Sequence, residues 1–146
     1  MPMKGTSERV PNKNLKDFNG RPLYTYILDT LLKSKYIHQV VINTDSETLK
    51  QSIFTDYKEA MHRILIVDRA PEVCGNYVSM NKVLEQDITA VHADVYIQTH
   101  STNPLLTTTT IDEALKKMIS FIENKDVNDS IFSVSKIQKR FYNEDA

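Results

Sequence analysis

QVVINTDSETLKQSIFTD, Gln39 to Asp56, carries one full unit of the architecture. Val40, Val41 and Ile42 form a short apolar, β-branched run, the composition of a buried strand over Gln39 to Asn43. A polar cluster, Asn43-Thr44-Asp45-Ser46, follows directly. Asp45 or Ser46 is placed to cap a helix over roughly residues 47–56. The same alternation recurs on either side. Upstream, Leu23, Ile27, Leu28, Leu31 and Leu32 recur at helical spacing and predict a helix from Leu23 to about Tyr36, with Pro22 tolerated in its first turn. Downstream, Ile64 to Val67 reads as a second strand ending in Asp68-Arg69, then a loop from Ala70 to Asn76. A helix is expected from Tyr77 to Val91 with Met80, Val83, Leu84 and Ile88 inward. A third strand is expected from Asp94 to Gln98. A further helix follows from Ile111 to Glu123 with Ala114, Leu115, Met118, Ile119 and Ile122 inward. A last strand runs from Asp129 to Ser135. Strands alternating with helices of ten or more residues predict a mostly parallel sheet covered on both faces.

In open sheets of this kind ligands sit at the carboxyl ends of the strands. Three polar clusters fall there: Thr44-Asp45-Ser46, Asp68-Arg69 and Gln98-Thr99-His100-Ser101. The start of the chain adds a fourth feature. Residues 1–22 read as loop, Met1-Pro2-Met3 being too short for a strand. Within them Gly5, Thr6 and Ser7 make a small hydroxyl-bearing turn ringed by Lys4, Arg9 and Lys13. Residues 1–21 hold five basic side chains against two acidic ones, in a chain of net charge −1. Free N–H groups, hydroxyls and cations together suit a polyphosphate. Charge alone leaves a solvated basic tail equally open. Neither a P-loop string nor a GxGxxG fingerprint is present. Asn19-Gly20 marks a tight turn.

The 146 residues suit one domain with its own core. Neutral overall charge gives no electrostatic case for nucleic acid. No apolar run approaches the ~20 residues of a membrane span. Cys74 is the single cysteine, which fits a reducing compartment; it reads as a packed small residue or a reactive thiol. His38, His62, His92 and His100 are too dispersed for a zinc site. His100 lies beside Ser101 without an acid to complete a triad, so it reads as a substrate contact or as loop structure. Asp45 reads as a cap or turn residue more readily than as a chemical one.

KGTSERVPNKNLKDFNGRPL, Lys4 to Leu23, resembles the signature loop of the acylneuraminate cytidylyltransferases (CMP-sialic acid synthetases), whose pattern runs P-A-R-G-G-S-K-R-[IV]-P-x-K-N and then G-[KR]-P-L. VVINTDSE (40–47), VDRAPEVCGN (67–76) and YIQTHSTNPLLTTTTIDEA (96–114) resemble three further motifs in the same order. The resemblance implies a three-layer Rossmann-like α/β nucleotidyltransferase domain with a mostly parallel sheet. Residues 1–146 would be a partial nucleotide-binding cytidylyltransferase domain, a fragment lacking the first strand and the C-terminal part. Truncation of that kind predicts an exposed sheet edge or apolar patch. The implied reaction joins CTP to a nine-carbon acid sugar, sialic acid or a related nonulosonic acid, giving the CMP-sugar and diphosphate. A Kdo-type cytidylyltransferase and an inactive nucleotide-binding fragment are the alternatives; a chain that completes another chain's sheet is a third.

The resemblance assigns roles residue by residue. Lys4 and Lys13 are the catalytic cations. Lys4, Ser7, Arg9, Lys13, Asn14 and Arg69 bind the nucleotide. Gln98 and His100 reach the sugar. Arg69 also reads as a salt-bridge residue and Gln98 as a loop-holding one. Mg²⁺ is the implied cofactor, its aspartate ligands expected downstream of this chain. The resemblance further implies a cytoplasmic enzyme, homodimeric at full length, with no nucleic-acid or membrane partner. Lys4 replaces the family's Arg, a point charge in place of a bidentate fork. Asn76 replaces an Asp and Leu106 an Arg, and two extra residues lie between Gln98 and Pro104.

Overall fold

The computed structural model describes residues 1–5, 7, 10–75 and 77–138. Its centre is a parallel sheet of β1 (Pro2–Met3), β4 (Val40–Thr44) and β5 (Ile64–Asp68), in the order β1-β4-β5. The register is set by Met3↔Thr44 and Thr44↔Asp68, so the three strands stop at one edge. A small antiparallel hairpin, β2 (Asp17–Phe18) and β3 (Arg21–Pro22), precedes α1 (Leu23–Lys33). Its turn is Asn19-Gly20, both at positive φ (52° and 89°), the geometry that twists a two-residue hairpin correctly. Then come α2 (Glu47–Asp56), α3 (Met80–Ala90) and α4 (Thr108–Glu123). No helix among the described residues is long and apolar enough to cross a membrane.

The core forms where the apolar stripe of α1 meets the sheet. Tyr24, Ile27 and Leu28 are fully buried, with Ile42 from β4, Leu49 and Ile53 from α2, and Ile111 and Leu115 from α4. Tyr24 keeps its hydroxyl satisfied by donating to Asp56 Oδ2 at 2.8 Å. Burial pushes that phenol well above its ordinary range. Arg63 closes the far end of α1, where helix carbonyls lack internal partners. Its guanidinium donates to the carbonyls of Leu32 (2.6 Å), Ser34 (3.3 Å) and Ile37 (2.5 Å).

Strands β4 and β5, the Asn19-Gly20 turn and α2 lie where the sequence predicts them; α1, α3 and α4 form with shifted ends, α4 beginning at Thr108 rather than Ile111. Ser46 is the residue that caps α2, its side chain accepting from the Leu49 N–H at 3.2 Å. Thr107 caps α4 in the same way through Thr110.

Several expectations are corrected. Pro2–Met3 is a strand, so the basic loop does follow one; pairing with β4 makes up for its shortness. Asp94–Gln98 joins no ladder. Tyr96 folds back on its own segment, its hydroxyl donating to Val91 O at 2.8 Å and accepting from Ala93 N at 3.0 Å. Between that segment and β4 opens a cavity of about 660 Å³, walled by Val40, Val41, Leu84, Ile88 and Val95. Residues 129–135 also form no strand, and Phe132 and Val134 are exposed. α1 stops at Lys33 rather than Tyr36, because Ser34 leaves the helix and donates to Asp112. α3 begins at Met80, capped by Ser79, rather than at Tyr77. Its inward face is turned: Val83 and Asp87 are buried, whereas Met80 and Ile88 are exposed. In α4, Ile122 is exposed as well.

Asp87 is buried because Asn43 receives it. Asn43 Nδ2 donates to Asp87 Oδ1 at 2.7 Å and to Gln86 Oε1 at 3.0 Å. Asp87 Oδ2 is buried without a hydrogen-bond partner among the described residues. Desolvation raises the Asp87 pKa, against the opposing pull of the Asn43 bond, the Met1 ammonium and Arg69. Burial in turn pushes the Met1 ammonium down to about 6.

Two outcomes are expected. Arg63→Ala lowers unfolding free energy by about 2 kcal/mol, for loss of charge-assisted bonds to otherwise orphaned carbonyls; urea denaturation measures it. Asp87 holds its proton more tightly in the native state than in the unfolded chain. Its contribution is therefore present at low pH and drains as pH rises above about 4. Between about pH 4 and 6, below the Met1 titration, the wild type loses stability relative to Asp87→Asn; paired thermal melts across that window check the sign.

Candidate functional site

Register alone assembles the site. Because Met3, Thr44 and Asp68 lie side by side at the strand ends, the next residues (Lys4, Asp45 and Arg69) enter one shared edge. That is the edge at which parallel α/β sheets take ligands.

The loop from Lys4 to Leu15 is fixed at both ends. At its start the Gly5 N–H donates to Asp45 Oδ1 at 2.6 Å. Gly5 also lies flush on the β4–α2 corner, where a Cβ would meet Ser46 Cβ at 2.7 Å. At its end a single 3₁₀ turn, Lys13–Leu15, follows Asn12 in the left-handed region at φ 50°. That turn points Asn14 inward, to 6% exposure. Asn14 Nδ2 donates to the Lys4 carbonyl at 2.9 Å, closing the loop on itself. Asn14 Oδ1 accepts from Ser101 Oγ at 2.7 Å, a buried bond across 87 residues.

Lys13 is half-buried in this turn, and Ser7 is likewise partly exposed. Among the described residues the ion pairs are Arg21–Asp29, Lys50–Glu47 and Lys50–Asp68, so Lys13 is held by no carboxylate there. Arg9 and Asn76 lie outside the described residues.

Arg69 has a different posture. It is 8% exposed, and its guanidinium grips Asn43: Nε to Oδ1 at 2.7 Å and an Nη to the main-chain carbonyl at 3.0 Å. Its own N–H donates to Thr44 O at 3.0 Å. Arg69 thus ties the ends of β4 and β5 together and continues, through Asn43, to Asp87 and α3. Gln98 and His100 are exposed, with Gln98 on the rim of the cavity beside β4. Ser101, between these residues and Asn14, joins their loop to the Lys4–Leu15 loop. Cys74 is a free, partly buried thiol whose sulfur lies 3.8 Å from the Arg69 carbonyl.

Sequence reasoning did not single out Asn43, Asp87 or the Asp45–Gly5 bond. Asn43 had a signal: a polar side chain closing an otherwise apolar β-branched run. The two others depend on partners more than 35 residues away.

No group of three or more His, Cys, Asp or Glu that could hold a metal comes together among the described residues. Asp68 pairs with Lys50, and Asp45 accepts from the Gly5 N–H.

The family profile described as Cytidylyltransferase matches residues 1–146. A pseudaminic acid cytidylyltransferase of Campylobacter jejuni subsp. jejuni (serotype O:2) is 28% identical over 151 residues, covering 97% of this chain and 61% of its own. A 3-deoxy-manno-octulosonate cytidylyltransferase of Chlorobaculum tepidum is 29% identical, covering 79% of this chain and 42% of its own. The chain thus spans about three-fifths of the length of the two Campylobacter jejuni pseudaminic acid cytidylyltransferases it matches. A solved structure of CMP:2-keto-3-deoxy-manno-octonic acid synthetase complexed with CTP superposes with a TM-score of 0.66 at 20% identity, over 82% of this chain and 45% of that one. The last similarity concerns fold: a truncated Rossmann-like nucleotidyltransferase sheet with flanking helices. On the family match over its whole length, this chain belongs to the cytidylyltransferase family.

Proposed function

We propose that residues 1–146 are the nucleotide-binding part of an enzyme that activates an acid sugar with CTP. The observation that carries this is the Lys4–Leu15 loop, closed by Asn14 and seated at the carboxyl edge of the parallel sheet. In the reaction the sugar's anomeric hydroxyl oxygen attacks the α-phosphorus of CTP. A new P–O bond forms, the bond to the β-phosphate breaks, diphosphate leaves, and the hydroxyl proton passes to solvent. Such a step needs positioning and neutralised charge more than a proton relay. Lys4, Ser7 and Lys13, with Arg9, supply cations and a hydroxyl toward the triphosphate. Asn14 acts by fixing the loop; Arg69 acts by fixing the strand ends beside it. Gln98 and His100, on the loop joined to Asn14 through Ser101, face the sugar.

A nonulosonic acid is the proposed sugar. Two pseudaminic acid cytidylyltransferases cover 97% of this chain and a third, bifunctional one 58%, whereas the octulosonate enzymes cover 79% to 82%. That supports a pseudaminic-type acid ahead of the sialic acid suggested by the motif resemblance.

Calorimetric titration of CTP into the folded chain is expected to show binding. Lys13→Ala is expected to weaken it by at least about tenfold, for loss of a charged contact. Asn14→Ala is expected to lower both affinity and stability, the latter by about 1–3 kcal/mol, since the Lys4 carbonyl and Ser101 hydroxyl lose their partner. A folded chain that ignores CTP overturns the reading. Diphosphate release measured with pseudaminic acid, sialic acid and Kdo in parallel ranks the sugars; binding without release from any of them assigns this chain a nucleotide-holding role.

A further inference from the structure

We infer that Asp45 is a positioning residue that sets the shape of the phosphate-type loop by clamping the Gly5 amide, an inference that rests on the nucleotide reading above. Two independent features converge on it. One is the 2.6 Å bond from Gly5 N–H to Asp45 Oδ1, which spans 40 residues of sequence and joins the loop after β1 to the corner after β4. The other is clearance. A Cβ at position 5 would lie 2.7 Å from Ser46 Cβ and 3.2 Å from both Asp45 Oδ1 and Ser46 Oγ. The loop therefore lies against the corner with no room for a side chain, and the carboxylate holds it there.

The corner is a firm base for a clamp. Thr44 is fully buried, and its Oγ1 accepts from the Ser46 N–H at 3.1 Å. Ser46 caps α2 through Leu49, and its carbonyl accepts from the Lys50 N–H at 3.1 Å. Asp45 itself is exposed, so its charge is not needed for core packing. A carboxylate is also an unhelpful neighbour for a triphosphate, because like charges repel. What the position requires is an acceptor oxygen at the right reach, not a negative charge. This separates the clamp from a metal-ligand role, which would require the charge.

The test compares Asp45→Ala, Asp45→Asn and wild type in two readouts. CTP affinity is measured by calorimetry, and exchange of the Gly5 amide by NMR without nucleotide. Asn keeps the acceptor oxygen. Asp45→Asn is expected to bind CTP within about twofold of wild type or tighter, with the Gly5 amide still protected. Asp45→Ala is expected to bind about tenfold more weakly, with the amide exchanging faster, consistent with the worth of one hydrogen bond. The inference is overturned if Asp45→Ala matches wild type in both readouts, or if Asp45→Asn falls as far as Asp45→Ala. Should Asp45→Ala fail to fold, Asp45→Glu replaces it: the charge stays but the acceptor moves by one methylene, so the clamp expects Glu to be impaired where Asn is not. If the folded wild type binds no CTP, the nucleotide reading fails, and amide exchange alone decides whether Asp45 clamps the loop.

Discussion

Everything at the candidate site follows from one constraint: three parallel strands end in register. Met3, Thr44 and Asp68 are lateral neighbours, so whatever residue comes next on each strand is delivered to a common edge. Parallel pairing requires the chain to cross over between strands, and the crossovers bury the apolar faces that make the sheet stable. The polar residues at the strand ends are left facing out of that packing. A basic loop, a capping corner and an arginine are thereby brought together without being close in sequence.

The edge is stiffened from beneath by a buried polar chain. Arg69 holds Asn43, Asn43 holds Asp87 and Gln86, and Gln86 returns to the Asp68 carbonyl at 3.0 Å. Burying such groups is costly unless each is satisfied. Here one oxygen, Asp87 Oδ2, remains without a partner among the described residues, and the carboxyl responds by holding its proton more tightly. The network therefore trades some stability for a fixed relation between β4, β5 and α3. Arg69 is a spatial neighbour of the loop, but its guanidinium is directed into this network rather than outward.

Local chemistry was readable in the sequence; partnership was not. The apolar runs at 40–42 and 64–67, the Asn19-Gly20 turn, and a cap at Asp45 or Ser46 each depend on residues within a few positions. Two of the three polar clusters, Thr44-Asp45-Ser46 and Asp68-Arg69, lie at strand ends as read; Gln98-Thr99-His100-Ser101 follows a segment that forms no strand. Pro2–Met3 carries no periodicity of its own and becomes a strand only because β4 lies beside it. Val95-Tyr96-Ile97 has strand composition but no ladder, because composition cannot state whether a neighbour exists. The face of α3 was misjudged because the buried position went to a carboxylate, Asp87, whose reason for being inside lies 44 residues away at Asn43. Asn14 and Arg69 were legible as polar residues of the basic loop and of a strand end. That both spend hydrogen bonds on the protein itself was not.

The buried contact between Asn14 and Ser101 links two stretches of chain that the reaction proposed here would use for different molecules. One amide serves both, so neither loop relaxes without moving the other. Lineages that remodel the 98–103 loop to admit a new sugar would then alter the grip on the nucleotide in the same step. Compensating changes would be expected to arise in pairs across these two segments, and grafting one segment alone between relatives would transfer preference at the expense of turnover.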